Sequence, residues 1–163
     1  MFKIIKNLIF IGIVFFTGYI FGIKHIKFFK IVSSSMEPTL NIGDKIISIK
    51  PDRIERKDIV VLISPAGKRE ILIKRVIGLP NEKIKIENGY VYINGERIEE
   101  NYIKEKPTYL VEETLIPSDC YFLLGDNRNQ SEDSKDWGPI NKNLINGKVI
   151  IKYSPFKNFK IFK

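Results

Sequence analysis

Lys83-Ile84-Lys85-Ile86-Glu87-Asn88-Gly89-Tyr90-Val91-Tyr92-Ile93 is the stretch that decides the fold. Apolar residues recur with period two before and after Asn88-Gly89, the pattern of strands with one buried face. Asn-Gly accepts the positive φ angles of a two-residue turn, so the stretch reads as an antiparallel hairpin. Asn94-Gly95 follows as a second turn signal. Working outward, short β-rich runs occupy Asp44–Ile49, Asp58–Ile63, Glu70–Ile77, Cys120–Leu124 and Lys148–Tyr153, with Ser64-Pro65-Ala66-Gly67 as a turn. Ala66 is the only alanine, whereas Ile, Val and aromatics are plentiful, which favours strands over helices. The expected fold class is mostly β, a single antiparallel β domain behind an N-terminal apolar helix.

The 163 residues suit one such domain. From Asn7 to Ile23 run 17 residues without a charge, about 26 Å as a helix. Lys6 can snorkel and extend that span towards a hydrocarbon core of ~30 Å. No small-x-small site follows the run, so an uncleaved anchor is preferred to a removable signal peptide. The expected layout is a short N-terminus at 1–6, a transmembrane anchor at 7–23, a basic juxtamembrane segment at 24–30 and a β-rich domain at 31–163. Lys3 and Lys6 precede the run, and Lys24, Lys27 and Lys30 follow it, so charge alone does not set the orientation.

Net charge is +8. The basic residues are scattered and form no nucleic-acid motif, which favours anionic lipid headgroups over nucleic acid as their counterpart. Cys120 is the only cysteine, so no internal disulfide or cysteine-rich metal site exists, and it reads as a small buried apolar residue. Asp126, Asn127, Asn129 and Asp133 do not make a calcium loop, because Arg128 stands where a ligand is needed. No metal and no cofactor are expected. The C-terminal Phe156-Lys157-Asn158-Phe159-Lys160-Ile161-Phe162-Lys163 reads as a frayed tail or edge strand, or as a contact with the membrane surface.

A candidate nucleophile is Ser35, in Ser33-Ser34-Ser35-Met36-Glu37-Pro38-Thr39-Leu40. A serine hydroxyl needs a base to take its proton. His25, the only histidine, lies in the basic flank of the apolar run and reads as a residue at headgroup level. That leaves a lysine, which can serve only when neutral. At a pKa of ~10.4 roughly one lysine in 2,500 is neutral at pH 7, and burial can lower that pKa by ~3–5 units. Lys74 has the most apolar surroundings, Ile71-Leu72-Ile73 before it and Val76-Ile77 after it. Strand alternation points Lys74 inward with Leu72 and Val76 and turns Arg75 outward.

Ser33-x-Ser35-Met36-x-Pro38-Thr39-Leu40, Asp58-Ile59-Val60-Val61, Lys74-Arg75 and Gly125-Asp126-Asn127-Arg128-Asn129-x-Ser131-x-Asp133-Ser134 resemble, in order and spacing, the successive boxes of the type I signal peptidases. The resemblance covers most of residues 30 to 153. It implies a signal-peptidase-type β domain on the extracytoplasmic side of the cell membrane, held by one transmembrane helix. It implies a serine endopeptidase whose partners are secretory precursor proteins with signal peptides, the lipid bilayer and the secretion translocon. By the same resemblance Ser35 is the nucleophile, Lys74 the general base, and the Ser35 N–H with the Ser33 hydroxyl the oxyanion hole. Ser131 orients the Lys74 ammonium. Asp126, Asn127 and Arg128 build the loop behind the site, and Asp133 is a buried carboxylate paired with residue 135. Ile31, Met36 and Leu72 line shallow pockets for small side chains at positions −1 and −3 of the precursor.

The sequence departs from the family pattern at several points. Lys135 stands where the family often has Arg and cannot grip Asp133 with two parallel bonds. Leu72 replaces a frequent Tyr, Ser34 a frequent Gly, and Asn81-Glu82 a frequent Gly-Asp. Two other readings stand beside the main one. The first is a Ser-Lys maturase for a dedicated substrate, of the conjugation, pilin or organelle kind. The second is an inactive membrane-tethered β module used for binding. The order of nucleophile and Ala66-Gly67 is the reverse of that in self-cleaving repressors, so that pair reads as a hairpin turn.

Overall fold

The computed structural model describes residues 2–23, 26–67, 70–155 and 158–162, leaving aside the side chains of 2–4, 8, 14, 17 and 19–23. His25 lies outside the described residues. Helix α1 (Phe2–Ile23) comes first, and its described apolar side chains, Ile9, Phe10, Phe15 and Phe16 among them, are exposed. Among the described residues no helix is long and apolar enough to cross a membrane; the anchor expected over 7–23 rests on the sequence run itself.

Among the described residues twelve strands follow: β1 (Ile26–Lys30), β2 (Lys45–Ile49), β3 (Ile59–Ile63), β4 (Ile71–Gly78), β5 (Lys83–Glu87), β6 (Tyr90–Ile93), β7 (Glu96–Arg97), β8 (Val111–Leu115), β9 (Cys120–Leu124), β10 (Ile140–Asn141), β11 (Ile145–Ser154) and β12 (Lys160–Ile161), with a one-turn helix α2 (Ser134–Trp137) between β9 and β10. All pair antiparallel. The main sheet runs β1-β2-β11-β3-β4-β9-β10, with β12 on β11, and a smaller sheet runs β7-β6-β5-β8.

The hairpin forms as its alternation demands. Asn88 and Gly89 turn with φ of 51° and 80°. Ile84 and Ile86 face Ile93 and Val91, and all four are buried in one cluster with Ile77, Ile116 and Phe122. Burial of each such side chain is worth ~1.5–3 kcal/mol, and this cluster fastens the small sheet to β4 and β9. At Gly78 the contact is so close that a Cβ would fall 2.2 Å from Ile116 Cδ1.

Several details differ from the sequence reading. β1 lies inside the segment 24–30 that was read as a basic juxtamembrane stretch; it pairs with β2 along its whole length. The described part of the C-terminal tail does include an edge strand, β12, one of the readings the sequence allowed. Cys120 is half-buried rather than buried, because it opens β9 beside the short edge strand β10. Arg75 does point to the opposite side from Lys74, but it is buried at 6% exposure, not solvated. That face of β4 is covered too, by Thr39, Tyr102 and the loop carrying Asp126.

Candidate active site

Strand β4 is central to the site because it is gripped on both sides. Its first half pairs with β3, Lys74 opposite Val60, and its second half with β9. Lys74 thus projects from a rigid element, at 3% exposure. Burial pulls its ammonium down from 10.5 to about 8; the Asp133 carboxylate works in the opposite direction and the Lys135 cation in the same one. Its Nζ donates to Ser131 Oγ at 2.9 Å.

Ser35 reaches the site from the turn after β1. The turn is closed by Glu37 N–H to Ser34 O and Leu40 N–H to Met36 O. The loop after β9 clamps it from behind. Asn127 donates its backbone N–H to Ser35 O at 3.0 Å and its side-chain amide to Ser34 O at 3.2 Å. Gly125 makes this approach possible: a Cβ there would sit 2.3 Å from Ser131 Oγ and 2.5 Å from Ser35 O. Ser35, Lys74 and Ser131 are all buried, at 8, 3 and 8% exposure.

Ser33, Ser35 and Lys74 line one cleft of about 250 Å³, and so do Ile31, Met36 and Leu72. Gln130, Glu132 and Trp137 form further parts of its wall. The sequence reading did not single these out; Trp137 is held by its indole N–H to Glu132 at 3.1 Å. Among the described residues no hydrogen bond joins Lys74 Nζ to Ser35 Oγ; the ammonium is directed at Ser131. The two expected oxyanion donors are engaged with each other, the Ser35 N–H donating to Ser33 Oγ at 3.3 Å. Ser33 is exposed, so its side chain has room to swing away from that N–H.

Behind the cleft stands a layer of buried charge. Arg75 forks onto Asp126, Nε to Oδ1 at 2.7 Å and Nη2 to Oδ2 at 2.6 Å. Arg128 forks onto Glu100 with bonds of 2.7 and 2.5 Å and is itself fully buried. Glu100 was not foreseen, since it lies 28 residues away in an irregular segment with no local signal. Asp133 accepts from the Gly125 and Lys135 backbone N–H groups at 2.9 and 3.2 Å. Lys135 Nζ stays 3.9 Å from Asp133 and turns instead to Asp136 at 2.7 Å and to the Ser131 carbonyl. The lysine at 135 therefore grips the backbone of the residue that holds Lys74.

A family model described as signal peptidase, peptidase S26, matches residues 1–154. The chain belongs to the peptidase S26 signal peptidase family. Membership carries a reaction class, hydrolysis of peptide bonds by a serine endopeptidase. Among signal peptidases, the chain is 39% identical over 134 residues to the probable signal peptidase I-2 of Synechocystis, covering 77% of this chain and 62% of that relative. It thus spans under two thirds of that longer protein. It is 31% identical over 180 residues to the signal peptidase IB of Staphylococcus aureus, covering 97% of this chain and 93% of the relative. The signal peptidase I crystal structure from Enterococcus faecalis superposes with a TM-score of 0.54 at 29% identity, covering 60% of this chain and 97% of that one.

Proposed function

We propose that this chain removes N-terminal signal peptides from exported precursor proteins, with Ser35 as nucleophile and Lys74 as general base. The observation that carries the reading is the shared cleft that a buried Lys74, its ammonium pulled down to about 8, lines together with Ser35. With a pKa of about 8, roughly one Lys74 in ten is neutral at pH 7.

In this reading Lys74 Nζ takes the Ser35 Oγ proton as Oγ attacks the scissile carbonyl. The tetrahedral oxyanion then receives the Ser35 N–H and, once its side chain has turned, the Ser33 O–H. The Lys74 ammonium, held by Ser131, gives its proton to the leaving amine. Water gives a proton to the regenerated Lys74 as it attacks the acyl-enzyme, Lys74 returns that proton to Ser35 Oγ as the ester breaks, and the signal peptide leaves with a new carboxyl group that ionises in water. Ile31, Met36 and Leu72 select small side chains near the cut, and Asp126, Asn127, Arg128 and Asp133 hold the loop that carries Ser131. The helix α1 anchors the protein, with the catalytic domain on the extracytoplasmic face, where precursors emerge from the translocon.

Incubation of the purified full chain with a panel of precursors, followed by mass spectrometry of the products, tests this. Cuts after small residues at −1 and −3 are expected, and Ser35→Ala and Lys74→Met each abolish them in a folded protein. Cleavage by either variant at the parental rate removes the Ser-Lys assignment. Cleavage of one specialised precursor alone points to a dedicated maturase.

A further inference from the structure

Glu132 and Trp137 line the cleft, yet the catalytic steps give them no task. The cleft runs along an open strand edge. Over Ile71–Lys74, β4 pairs with β3 on one side, and on the other β9 joins only from Arg75 onward. Residues 30–33 form the opposite bank. A peptide lying on such an edge is extended and sends alternate side chains to opposite faces. One face is that of Ile73, which packs in one cluster with Ile31 and Met36, two of the residues assigned to −1 and −3. The other face is that of Lys74, opposite Val60, and Trp137 packs there against the cluster of Val60, Leu62 and Val76. With −1 and −3 on the first face, the side chain at −2 meets the second.

The groups on that second face suit a cation. The Trp137 indole N–H donates to Glu132 Oε1 at 3.1 Å and holds the carboxylate in place. Glu132 is exposed and Trp137 half-buried. Among the described residues nothing donates to Glu132 Oε2, no cation pairs with the carboxylate and none stacks on the Trp137 ring. An indole face beside a carboxylate attracts a Lys or Arg head, and the indole also covers the aliphatic stem. The carboxylate does not help the base: it raises the pKa of Lys74, as Asp133 and Asp136 do and against Lys135. That effect puts Glu132 within electrostatic reach of the reacting end, and a cation bound to it offsets its pull on the lysine. The other charged side chains of the cleft stand apart. Glu70 precedes Lys74 by four residues, about 13 Å of extended chain, and Lys30 opens the opposite bank.

We propose that Glu132 and Trp137 form a subsite for the side chain at −2 and favour precursors with Lys or Arg at that position. The proposal rests on the Ser35–Lys74 reading and adds to it a selection for charge.

The test uses the full chain in detergent micelles and one precursor with Ala fixed at −1 and −3. Lys, Met or Glu is placed at −2, and in a second series at +1, with Met as the uncharged side chain of similar reach. kcat/KM is compared within one enzyme, so any overall change of rate from altering a charge near Lys74 cancels. In the parent, Lys at −2 is cut about three- to tenfold faster than Met, and Glu more slowly than Met. Glu132→Gln brings Lys and Met to one rate, and Glu132→Lys reverses the order, Glu ahead of Lys. Glu132 is exposed, so both variants keep the fold. Equal rates for all three side chains at −2 in the parent overturn the proposal, and so does a Lys preference that survives Glu132→Gln. A preference at +1 in place of −2, lost in Glu132→Gln, puts the residue on the leaving side and overturns its assignment to −2. Cleavage of every precursor with no preference at −2 leaves the proposed function standing without this subsite; cleavage of none by the parent removes both.

Discussion

Lys74 Nζ donates a 2.9 Å hydrogen bond to Ser131 Oγ, a partner 57 residues away in the sequence. Around this bond the site divides its work. Strand β4 fixes the lysine and strips it of water, while the loop after β9 supplies the acceptor that holds its ammonium without adding a full negative charge. A carboxylate in Ser131's place would keep the lysine protonated at neutral pH. A hydroxyl leaves it able to lose its proton.

The first prediction is a pH profile. Only neutral Lys74 can take a proton, so kcat/KM rises with pH along a limb with its midpoint near the pKa of about 8. The Lys135 cation pulls that pKa down and the Asp133 carboxylate pushes it up. Lys135→Met therefore moves the limb to higher pH, and Asp133→Asn moves it to lower pH. Rates at a series of pH values on one precursor measure the three midpoints; shifts in the same direction for both variants contradict the electrostatic account.

A second prediction separates holding Lys74 from placing it. Ser131→Ala removes one hydrogen bond to a charged group, worth ~1.5–3 kcal/mol, so kcat falls about ten- to a hundredfold with KM little changed. Gly125→Ala does more. Its Cβ enters within 2.3 Å of Ser131 Oγ and 2.5 Å of Ser35 O, so it displaces both sides of the site at once. Activity of Gly125→Ala falls below that of Ser131→Ala, with a lower melting temperature. A Gly125→Ala enzyme as active as the parent would mean that the loop is not packed against the Ser35 turn in solution.

These two residues mark the reach of sequence reading. The hairpin at 83–93 and strands β2, β3, β4 and β9 were legible, since each carries its own alternation or turn signal. β8, with Glu112 and Glu113 in mid-strand, carries no apolar alternation, and β1 looked like a charged membrane flank because Phe28 and Phe29 sit between Lys27 and Lys30 right after the apolar run. Arg75 was misread because alternation gives the side of a sheet and not whether that side is covered. The Ser131–Lys74 relation came from resemblance alone, and the Glu100–Arg128 fork from neither source. Contacts between distant irregular segments have no local signature to read.

Arg75 and Asp126 give a third prediction. Both are buried, at 6 and 0% exposure, and they meet through two parallel bonds. Breaking a buried pair from one side costs ~3–5 kcal/mol, because the other charge is stranded. Asp126→Asn and Arg75→Met each lower stability by that order. The double variant, which strands no charge, loses less than the two singles combined. Urea unfolding of the four proteins measures the coupling; additive losses would mean that water reaches the pair.

The last prediction concerns the cost of keeping Lys74 dry. Its ammonium is destabilised in the folded state, with a pKa of about 8 against 10.5 when unfolded. Below pH 8 both states hold the proton, and the native state bears the full cost of a buried charge. Between about 8 and 10.5 the unfolded chain binds the proton more tightly, so unfolding free energy rises with pH. Above that window both are neutral and the cost is gone. The difference corresponds to on the order of 3 kcal/mol. Lys74→Met carries no such cost. It is therefore more stable than the parent at pH 7, by up to that amount, less what the loss of the Ser131 hydrogen bond removes. The two proteins converge as pH rises through the window. Denaturant unfolding at pH 7 and pH 10 reads the difference directly, and other groups that titrate in this range cancel between parent and variant. Parallel stability curves would show that Lys74 keeps an ordinary pKa in the folded protein, which would also remove it as a base at neutral pH.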